Sequence, residues 1–202
     1  RGMKLTPSGS GKALAVHSPI LFFAQNREVA DEAFPGDIIG IPNHGTLRVG
    51  DTLSESNKVR FTGLPNFAPE ILRRVVLKDP TKTKQLRKAL DDLSEEGVIQ
   101  VFYPEFGAQW IVGVVGQLQL DVLVSRLEAE YKVGANLEPA PFVTARWVKG
   151  GEAALKTFTD FNRANLATDR DGDPVFLAKS SWDVNYQAEK NPDLTFSATK
   201  ER

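Results

Sequence analysis

The first part of the chain, up to about residue 60, alternates short apolar runs with glycine, proline and asparagine. The runs are "PILFFA", "PGDIIGIP", "GTLRVGDTL" and "NKVRFTG". Short apolar runs with turn residues between them are typical of antiparallel strands in a small barrel or sandwich. Because fewer strands can be read here than a closed barrel usually has, we expect the latter part of a β-barrel.

After residue 61 the pattern changes to strands that alternate with amphipathic helices. The strand "EILRRVVL" precedes Asp79 and Pro80, a helix cap and a first-turn proline, and then the helix "TKTKQLRKALDDLSEE". The strands "VIQVFYP" and "QWIVGVVG", a second helix over 117–131 and an extended segment ending near Pro141 follow. This β-α-β-β-α-β order predicts a ferredoxin-like α+β domain.

Apolar residues at helical spacing predict the buried faces of these two helices. In the first helix they are Leu86, Leu90 and Leu93, and Gly97 is suited to the left-handed position that ends it. In the second helix the apolar stripe consists of Leu120, Leu123, Val124, Leu127 and Tyr131.

A weaker alternation of strands and helices continues from about residue 142. The segments "FVTARWV", "VFLAKS" and "TFSATK" are predicted strands, and "EAALKTFTDFNRAN" and "SWDVNYQAEKN" are predicted helices. We expect the first of these helices to turn Leu155, Phe158 and Phe161 inward. The second domain therefore gains a predicted βαβαβ extension. Prolines and aromatics in "FTGLPNFAP" indicate a packed joint, so the predicted domains are 1–61 and 62–202.

Composition limits the chemistry that the chain can perform. Its 25 basic and 26 acidic side chains are nearly balanced, and it has no cysteine, which excludes disulfides, thiol catalysis and cysteine-ligated zinc. No apolar run reaches the roughly 18 residues that span a bilayer, and the first residues lack the pattern of a signal peptide. We expect a cytoplasmic protein without a membrane partner. The start at Arg1 leads us to expect a piece of a longer chain.

Two short motifs resemble ligand sites but lack essential residues. The "GSGK" of residues 9–12 suggests a phosphate-binding loop, yet Thr6 and Ala13 stand where that loop needs a glycine and a hydroxyl. The "DRDGDP" segment, which begins at Asp169, suggests a Ca²⁺ loop, but Pro174 and Ser180 replace its required glycine and glutamate. We interpret both segments as turns, since glycine, serine and aspartate favour turns by themselves.

The sequence offers no convincing catalytic constellation, so we predict no catalytic, cofactor-binding or metal-binding residue. The two histidines, His17 and His44, stand alone without a spaced partner. The carboxylate pairs Asp91-Asp92 and Glu95-Glu96 lie on the outer face or end of a helix, where solvation is the expected state.

Basic residues are concentrated in the first strand and first helix of the second domain. Between Lys58 and Leu90 there are nine, against Glu70 and Asp79 alone. Such a surplus suits contacts with a phosphate backbone or an acidic protein, although a solvated helix face explains it equally well. The candidate contact residues are Arg73, Arg74, Lys78, Lys82, Lys84, Arg87 and Lys88.

Four aromatic residues follow this basic region. They are Phe102, Tyr103, Phe106 and Trp110. A stacking platform for RNA would need a basic, glycine and aromatic motif on the third strand, and "QWIVGVVG" does not carry it. Core packing is therefore the favoured interpretation of these side chains.

Several long blocks of the chain resemble a known family. "FPGDIIGIPNHGTLRVGDTL" is similar to the end of the second domain of translational GTPases. The blocks "FTGLPNFAPEILRRVVLKDP", "LSEEGVIQVF", "IVGVVGQLQLDVLVSRLEAEY" and "TARWV" resemble the bacterial peptide chain release factor 3 group of that family. A set of residues also resembles the third domain of elongation factor G: Gly116, Leu118, Gln119, Arg126, Leu127 and Tyr131.

The resemblance implies part of a ribosome-dependent GTPase that accelerates the departure of class I release factors in translation termination. In that family GTP and Mg²⁺ are bound by a preceding domain, so the resemblance implies no cofactor and no catalysis for this chain alone. It implies partners on the ribosome, mainly the small subunit, without sequence-specific nucleic-acid recognition. Two alternatives remain open, an independent RNA-binding module and a small-molecule-binding ferredoxin-like module.

Overall fold

The structure is a computed structural model that describes residues 1–8, 11–23, 26–43, 46–47, 49–56, 58–59, 61, 65–107 and 109–200. The chain forms two compact units, Arg1–Leu64 and Pro65–Arg202. The predicted boundary between 61 and 62 stays a prediction, because residues 62–64 lie outside the described ranges.

The first unit is built from short antiparallel strands. Among its described residues they are β1 (Lys4–Pro7), β2 (Leu14–Ala15), β3 (Ile20–Phe23), β4 (Asn26–Val29), β5 (Ile39–Gly40) and β6 (Leu53–Ser54). They form two three-stranded sheets with the orders β2-β1-β6 and β4-β3-β5. The predicted β character of this region is confirmed, whereas much of the predicted strand "NKVRFTG" falls on residues outside the described ranges.

The "GSGK" segment lies in the connection between β1 and β2. These strands pair in antiparallel register through Leu5 and Leu14, and the backbone N–H of Gly11 donates to the Pro7 carbonyl at 3.0 Å. Gly11 has a φ of 65°, which favours glycine, while Gly9 and Ser10 lie outside the described residues. The connection is a hairpin, not the strand-to-helix junction that a phosphate loop requires.

The second unit combines strands with four α-helices in the part of the chain that the structure describes. Its strands are β7 (Asn66–Phe67), β8 (Ile71–Leu77), β9 (Gln100–Pro104), β10 (Ile111–Val114), β11 (Ala135–Pro139), β12 (Thr144–Gly150), β13 (Leu166–Asp169), β14 (Pro174–Ala178), β15 (Leu194–Ser197) and β16 (Thr199–Lys200). Its helices are α1 (Thr83–Glu95), α2 (Gln117–Ala129), α3 (Glu152–Asn162) and α4 (Ser181–Lys190), with 3₁₀ turns at Pro80–Lys82 and Arg163–Asn165.

Eight of these strands form one antiparallel sheet in the order β11-β8-β10-β9-β13-β14-β12-β15. The strands β8 to β11 with α1 and α2 make its first half. The strands β12 to β15 with α3 and α4 make the second half in the same β-α-β-β-α-β succession. The strand order of the second half mirrors that of the first about the β9–β13 pair. The short strands β7 and β16 pair with each other outside this sheet.

The predicted βαβαβ extension was wrong by one strand, β13. Its four residues lie between the 3₁₀ turn that ends α3 and the turn at Asp169–Asp173, so too few residues remain for an alternating pattern to be read. The strand pairs with both β9 and β14, and it therefore joins the two halves of the sheet.

The start and end signals of α1 behave as predicted. The Asp79 carboxylate accepts the backbone N–H of Thr81 at 3.0 Å at the 3₁₀ turn that leads into the helix. Leu86, Leu90 and Leu93 are buried against the sheet, and Gly97 follows the helix with a φ of 77°. In α2 the buried residues are Leu120, Leu123 and Leu127.

Three hydrophobic clusters fill the second unit. One lies beneath α1 and α2, one beneath α3 and α4, and the third contains residues of both halves, including Leu72, Phe102 and Trp147. The core prediction is confirmed for Phe102, and Tyr103 and Trp110 pack edge to face at a centroid distance of 5.8 Å. It was wrong for Phe106, which is exposed in the turn after β9.

The inward orientation predicted for Phe161 was also wrong. Phe158 is buried and contacts the rings of Phe176 and Phe196, but Phe161 is 85% exposed. Successive steps of three residues rotate away from a helix face, and Asn162, four residues after Phe158, takes the inner position. The side chain of Asn162 accepts a hydrogen bond from Gln187 of α4 at 3.2 Å.

No helix among the described residues combines the length and the apolar character needed to cross a membrane.

Candidate functional site

The seven predicted contact residues do not form one continuous patch. Arg73 and Arg74 are neighbours on β8, and side chains of successive strand residues point to opposite faces of a sheet. Arg73 lies opposite Val112, which belongs to the hydrophobic cluster beneath α1 and α2. Arg74 lies opposite Ile111, which belongs to the cluster that both halves share, here called the shared core. Arg74 also pairs with Glu138 of β11 at 3.0 Å. These two arginines therefore act on different surfaces.

Two lysines of the predicted set serve the local structure. Lys82 donates from Nζ to the Lys132 carbonyl at 2.5 Å, just beyond the end of α2. The stem of Lys78 lies over Gly134, where an added Cβ would meet its Cδ at 3.1 Å. A cation close to the last carbonyls of a helix interacts favourably with the negative end of the helix dipole, so Lys82 stabilises the C-terminus of α2.

The remaining three residues, Lys84, Arg87 and Lys88, share the exposed face of α1. Residues three and four apart on a helix lie next to each other, so these three cations form one surface, here called the α1 basic face. Arg87 lies 4.0 Å from Asp91 and 5.2 Å above the ring of Tyr103. Within the described residues no ion pair involves Lys84 or Lys88.

The carboxylates of α1 are not simply solvated, as their position had suggested. Asp91 accepts the hydroxyl of Tyr103, and Asp92 accepts the hydroxyl of Tyr131 at 3.2 Å. Glu95 pairs with Arg170 at 3.3 Å, and Glu96 pairs with Arg126, which also binds Glu130. These contacts connect the second half of α1 to β9, to α2 and to the turn after β13. Burial raises the pKa of Tyr131 to about 12, and burial also raises the pKa of Tyr103.

The alternating aspartates of "DRDGDP" surround a cation that belongs to the protein. Lys200 places Nζ 2.6 Å from an Asp169 oxygen, 2.9 Å from Asp171 and 2.5 Å from Asp173. The other Asp169 oxygen accepts the backbone N–H groups of Asp171 and Asp173, and Trp147 donates from Nε1 to Asp169 at 2.9 Å. The ammonium group of Lys200 therefore occupies the position where a Ca²⁺ ion had been considered.

The Lys200 side chain is only 9% exposed, and this burial opposes its charged form. Hydrogen bonds to the three aspartates outweigh that cost and raise the pKa of Lys200 above its ordinary value. Within the described ranges no group of three His, Asp or Glu side chains is arranged to hold a metal ion. His17 is exposed, and His44 lies outside the described residues. Sequence reasoning missed Lys200, because 31 residues separate it from Asp169.

Two protein-family models match the chain in succession. Residues 1–56 match "Elongation factor G domain 2", which corresponds to the β-rich first unit. Residues 61–188 match "Class II release factor RF3, C-terminal domain", and this match covers more than half of the chain. The expectation drawn from the sequence blocks is thereby confirmed at the level of the family. The chain belongs to the family of class II release factor RF3, a family of translation termination factors.

Proposed function

We propose that this chain is the ribosome-docking part of a GTPase that stimulates the dissociation of class I release factors from the ribosome. The observation that carries the proposal is the order of the two family matches, elongation factor G domain 2 and then the RF3 C-terminal domain. The first unit is then a partial second-domain β-barrel. The first half of the second unit is a ferredoxin-like domain similar to the third domain of elongation factor G, which the order β11-β8-β10-β9 supports.

In this proposal GTP and Mg²⁺ belong to another part of the parent protein, and the present chain transmits the nucleotide state through rigid-body movement. The continuous eight-stranded sheet of the second unit supports such a role, since a close-packed element moves as a whole. The partners are the ribosome, mainly its small subunit, and the class I release factors bound there. The protein acts in the cytoplasm.

The α1 basic face is the surface that we assign to ribosomal RNA. Lys84, Arg87 and Lys88 lie in the first half of α1, where the positive end of the helix dipole adds to their charge. This end of α1 carries no acidic residue in its first turn, so the local field attracts anions. Contacts of this kind bind phosphates and do not read sequence.

A charge-reversal experiment tests this assignment. Lys84→Glu together with Lys88→Glu is compared with Lys149→Glu and Lys156→Glu, two exposed lysines on β12 and α3. Co-sedimentation with ribosomes is measured across a salt series. We expect the first pair to weaken ribosome binding. The plot of the logarithm of the association constant against the logarithm of the salt concentration should become less steep by roughly one to two, because each lost phosphate contact reduces the steepness by about one.

Equal losses for both pairs would remove the α1 basic face from the proposal, since general repulsion would then explain the effect. Free RNA distinguishes the alternatives. Sequence-preferring binding to naked RNA without binding to ribosomes would favour an independent RNA-binding module. Specific turnover of a small molecule would favour the small-molecule alternative.

A further inference from the structure

The second unit contains an open groove of about 560 Å³ between the β7 segment and the start of β12. Four separated segments line it: residues 67–70, Val115 after β10, residues 143, 144 and 146, and residues 198–199. Except for Val143 and residues 198–199, they belong to the blocks "PNFAPE", "IVGVVG" and "TARWV", which also carry the resemblance to the release factor family. Residues distant in the sequence therefore converge on one surface, here called the Arg146 groove.

The Arg146 groove has a firmly held wall. Ala68 donates its backbone N–H to the Ala198 carbonyl at 2.7 Å, and Glu70 donates to the Val114 carbonyl at 3.1 Å. Pro69 packs directly on β10, since a Cβ added to Gly113 would lie 2.6 Å from its ring. A wall fixed on both sides gives a preformed site, which reduces the ordering cost of binding.

The lining of the groove exposes three large apolar side chains. Phe67 is 59% exposed, Val115 is 55% exposed and Val143 is 56% exposed. Scattered exposed apolar residues are normal on a protein surface, but their concentration in a concave site marks a place where another apolar group binds.

Arg146 supplies one oriented cation in the same groove. Its Nη1 donates to the Thr144 hydroxyl at 2.6 Å and to the Ala145 carbonyl at 2.8 Å, which fixes the plane of the guanidinium. No ion pair of Arg146 with a carboxylate occurs among the described residues, although Glu70 lines the same groove. The edge of the guanidinium formed by Nε and Nη2 takes no part in these two hydrogen bonds. This edge can donate two parallel hydrogen bonds to a carboxylate.

We propose that the Arg146 groove binds an extended segment of a partner protein in which an acidic side chain stands beside an apolar one. The carboxylate pairs with Arg146, and the apolar side chain covers Phe67, Val115 and Val143. The lining carries one cation, Arg146, beside Glu70 and a mainly apolar remainder. A single cation suits a peptide carboxylate better than RNA, because RNA needs several positive charges along its backbone. The inference goes beyond ribosome docking and does not depend on it.

Two short probe peptides test the inference without ribosomes. One is Gly-Ser-Leu-Glu-Leu-Ser-Gly-Lys, acetylated and labelled with fluorescein on its lysine, and its twin has glutamine in place of glutamate. Fluorescence polarisation with the whole chain measures both dissociation constants. We expect the glutamate peptide to bind about tenfold more tightly, as a charge-assisted paired hydrogen bond allows. Backbone NMR shifts are expected at Val143 and Thr199.

Substitutions assign the binding to the groove. Arg146→Gln should abolish the difference between the two peptides, and Val143→Ser should weaken both. Arg163→Gln, which changes the charge on α3, and Phe161→Ser, which removes a ring that is 85% exposed outside the groove, should change neither dissociation constant. Tryptophan fluorescence, to which the buried Trp147 contributes, checks that each variant is folded.

Three results would overturn the inference. The first is an absence of saturable binding by either peptide to the unmodified chain. The second is a tenfold preference that persists in folded Arg146→Gln, or an equal loss with Phe161→Ser. The third is a shift of the Val143 and Thr199 signals by decauridylate but not by the peptides. If Arg146→Gln does not fold, the peptide pair and Val143→Ser decide the matter.

Discussion

The ammonium group of Lys200 connects the last short strand of the second unit to the turn between β13 and β14. Its partner Asp169 is itself buried and also accepts a hydrogen bond from Trp147 of the shared core. The contact therefore links the turn between β13 and β14, the β7–β16 strand pair and the core residue Trp147. Its contribution to stability depends on the buried member, because Asp171 and Asp173 have side chains that are well exposed to water.

We expect Lys200→Met to lower the free energy of unfolding by about 3 kcal/mol, because removing one partner of a buried pair leaves an uncompensated charge. Urea unfolding followed by tryptophan fluorescence measures this change. The same substitution in an Asp169→Asn background should cost clearly less. Lys179→Met, at an exposed lysine, should stay within about 0.5 kcal/mol.

The effect of pH on this contact has a definite sign. The folded-state pKa of Lys200 is raised, so its stabilisation is present below the unfolded value, about 10.4, and is lost only as pH rises through the folded value. The difference between the unmodified chain and Lys200→Met should therefore stay constant between about pH 6 and 9. A difference that decreased within this range would contradict the buried pair.

Single residues also show what sequence can and cannot predict. The alternating aspartates were interpreted as a turn, and the structure confirms a turn there, but the cation that they surround was not predicted. The identity of the cation depended on the pairing of β16 with β7, a contact distant along the chain. In the same way, Arg146 appeared as part of a family motif, but its groove required four separated segments to fold together.

At the scale of elements, α1 was predictable and β13 was not. The 13-residue helix follows a 3₁₀ turn that supplies a cap and a proline, and it has a leucine stripe and a glycine after its end, so many local signals agree. The strand β13 has four residues and owes its conformation to β9 and β14 on either side. Phe106 and Phe161, which are both exposed, were misassigned for a related reason, because hydrophobicity alone does not give the rotation of a short element.

The hydroxyls of Tyr103 and Tyr131 attach α1 to β9 and to the segment after α2, and this predicts an alkaline transition. The pKa of Tyr131 is raised to about 12, so the stability from its neutral form is present below the unfolded value, about 10, and is lost as pH rises from there to about 12. We expect the free energy of unfolding to fall over this interval.

Absorbance at 295 nm measures the ionisation of the tyrosines directly. In the folded chain Tyr131 should ionise late, and the Tyr131→Phe variant should lose one tyrosine's share of the late absorbance change while the share of Tyr103 remains. Asp92→Asn should make Tyr131 ionise earlier, since the carboxylate is one cause of its raised pKa. A Tyr131 that ionises near pH 10 in the folded chain would show that the contact does not form.

At the scale of the molecule, the two halves of the second unit share one sheet and one core. The strand pair β9–β13 joins them, and Phe102 of the first half lies in the same cluster as Trp147 of the second. Because the core at the boundary contains side chains of both halves, one half cannot unfold without disrupting the packing of the other. We therefore predict that the two halves unfold in one cooperative transition.

The three tryptophans allow a direct measurement of this cooperativity. Trp110 lies in the first half, Trp147 in the shared core and Trp182 on α4 of the second half. In each variant that keeps one tryptophan, with phenylalanine at the other two positions, the urea midpoint from fluorescence should equal the midpoint from far-UV circular dichroism of the same variant. A fluorescence midpoint that differs from it in the Trp110 or the Trp182 variant would contradict the prediction.

The pairing of β7 with β16 has a mechanical consequence. The chain enters the second unit at Pro65, and β7 immediately after it pairs with the strand that contains Lys200. A pulling force between these two points would meet a ribbon of two residue pairs and the Lys200 contacts before it reached the eight-stranded sheet. Tension applied there would thus open the Phe67 wall of the Arg146 groove first, while the helices and their cores remained intact.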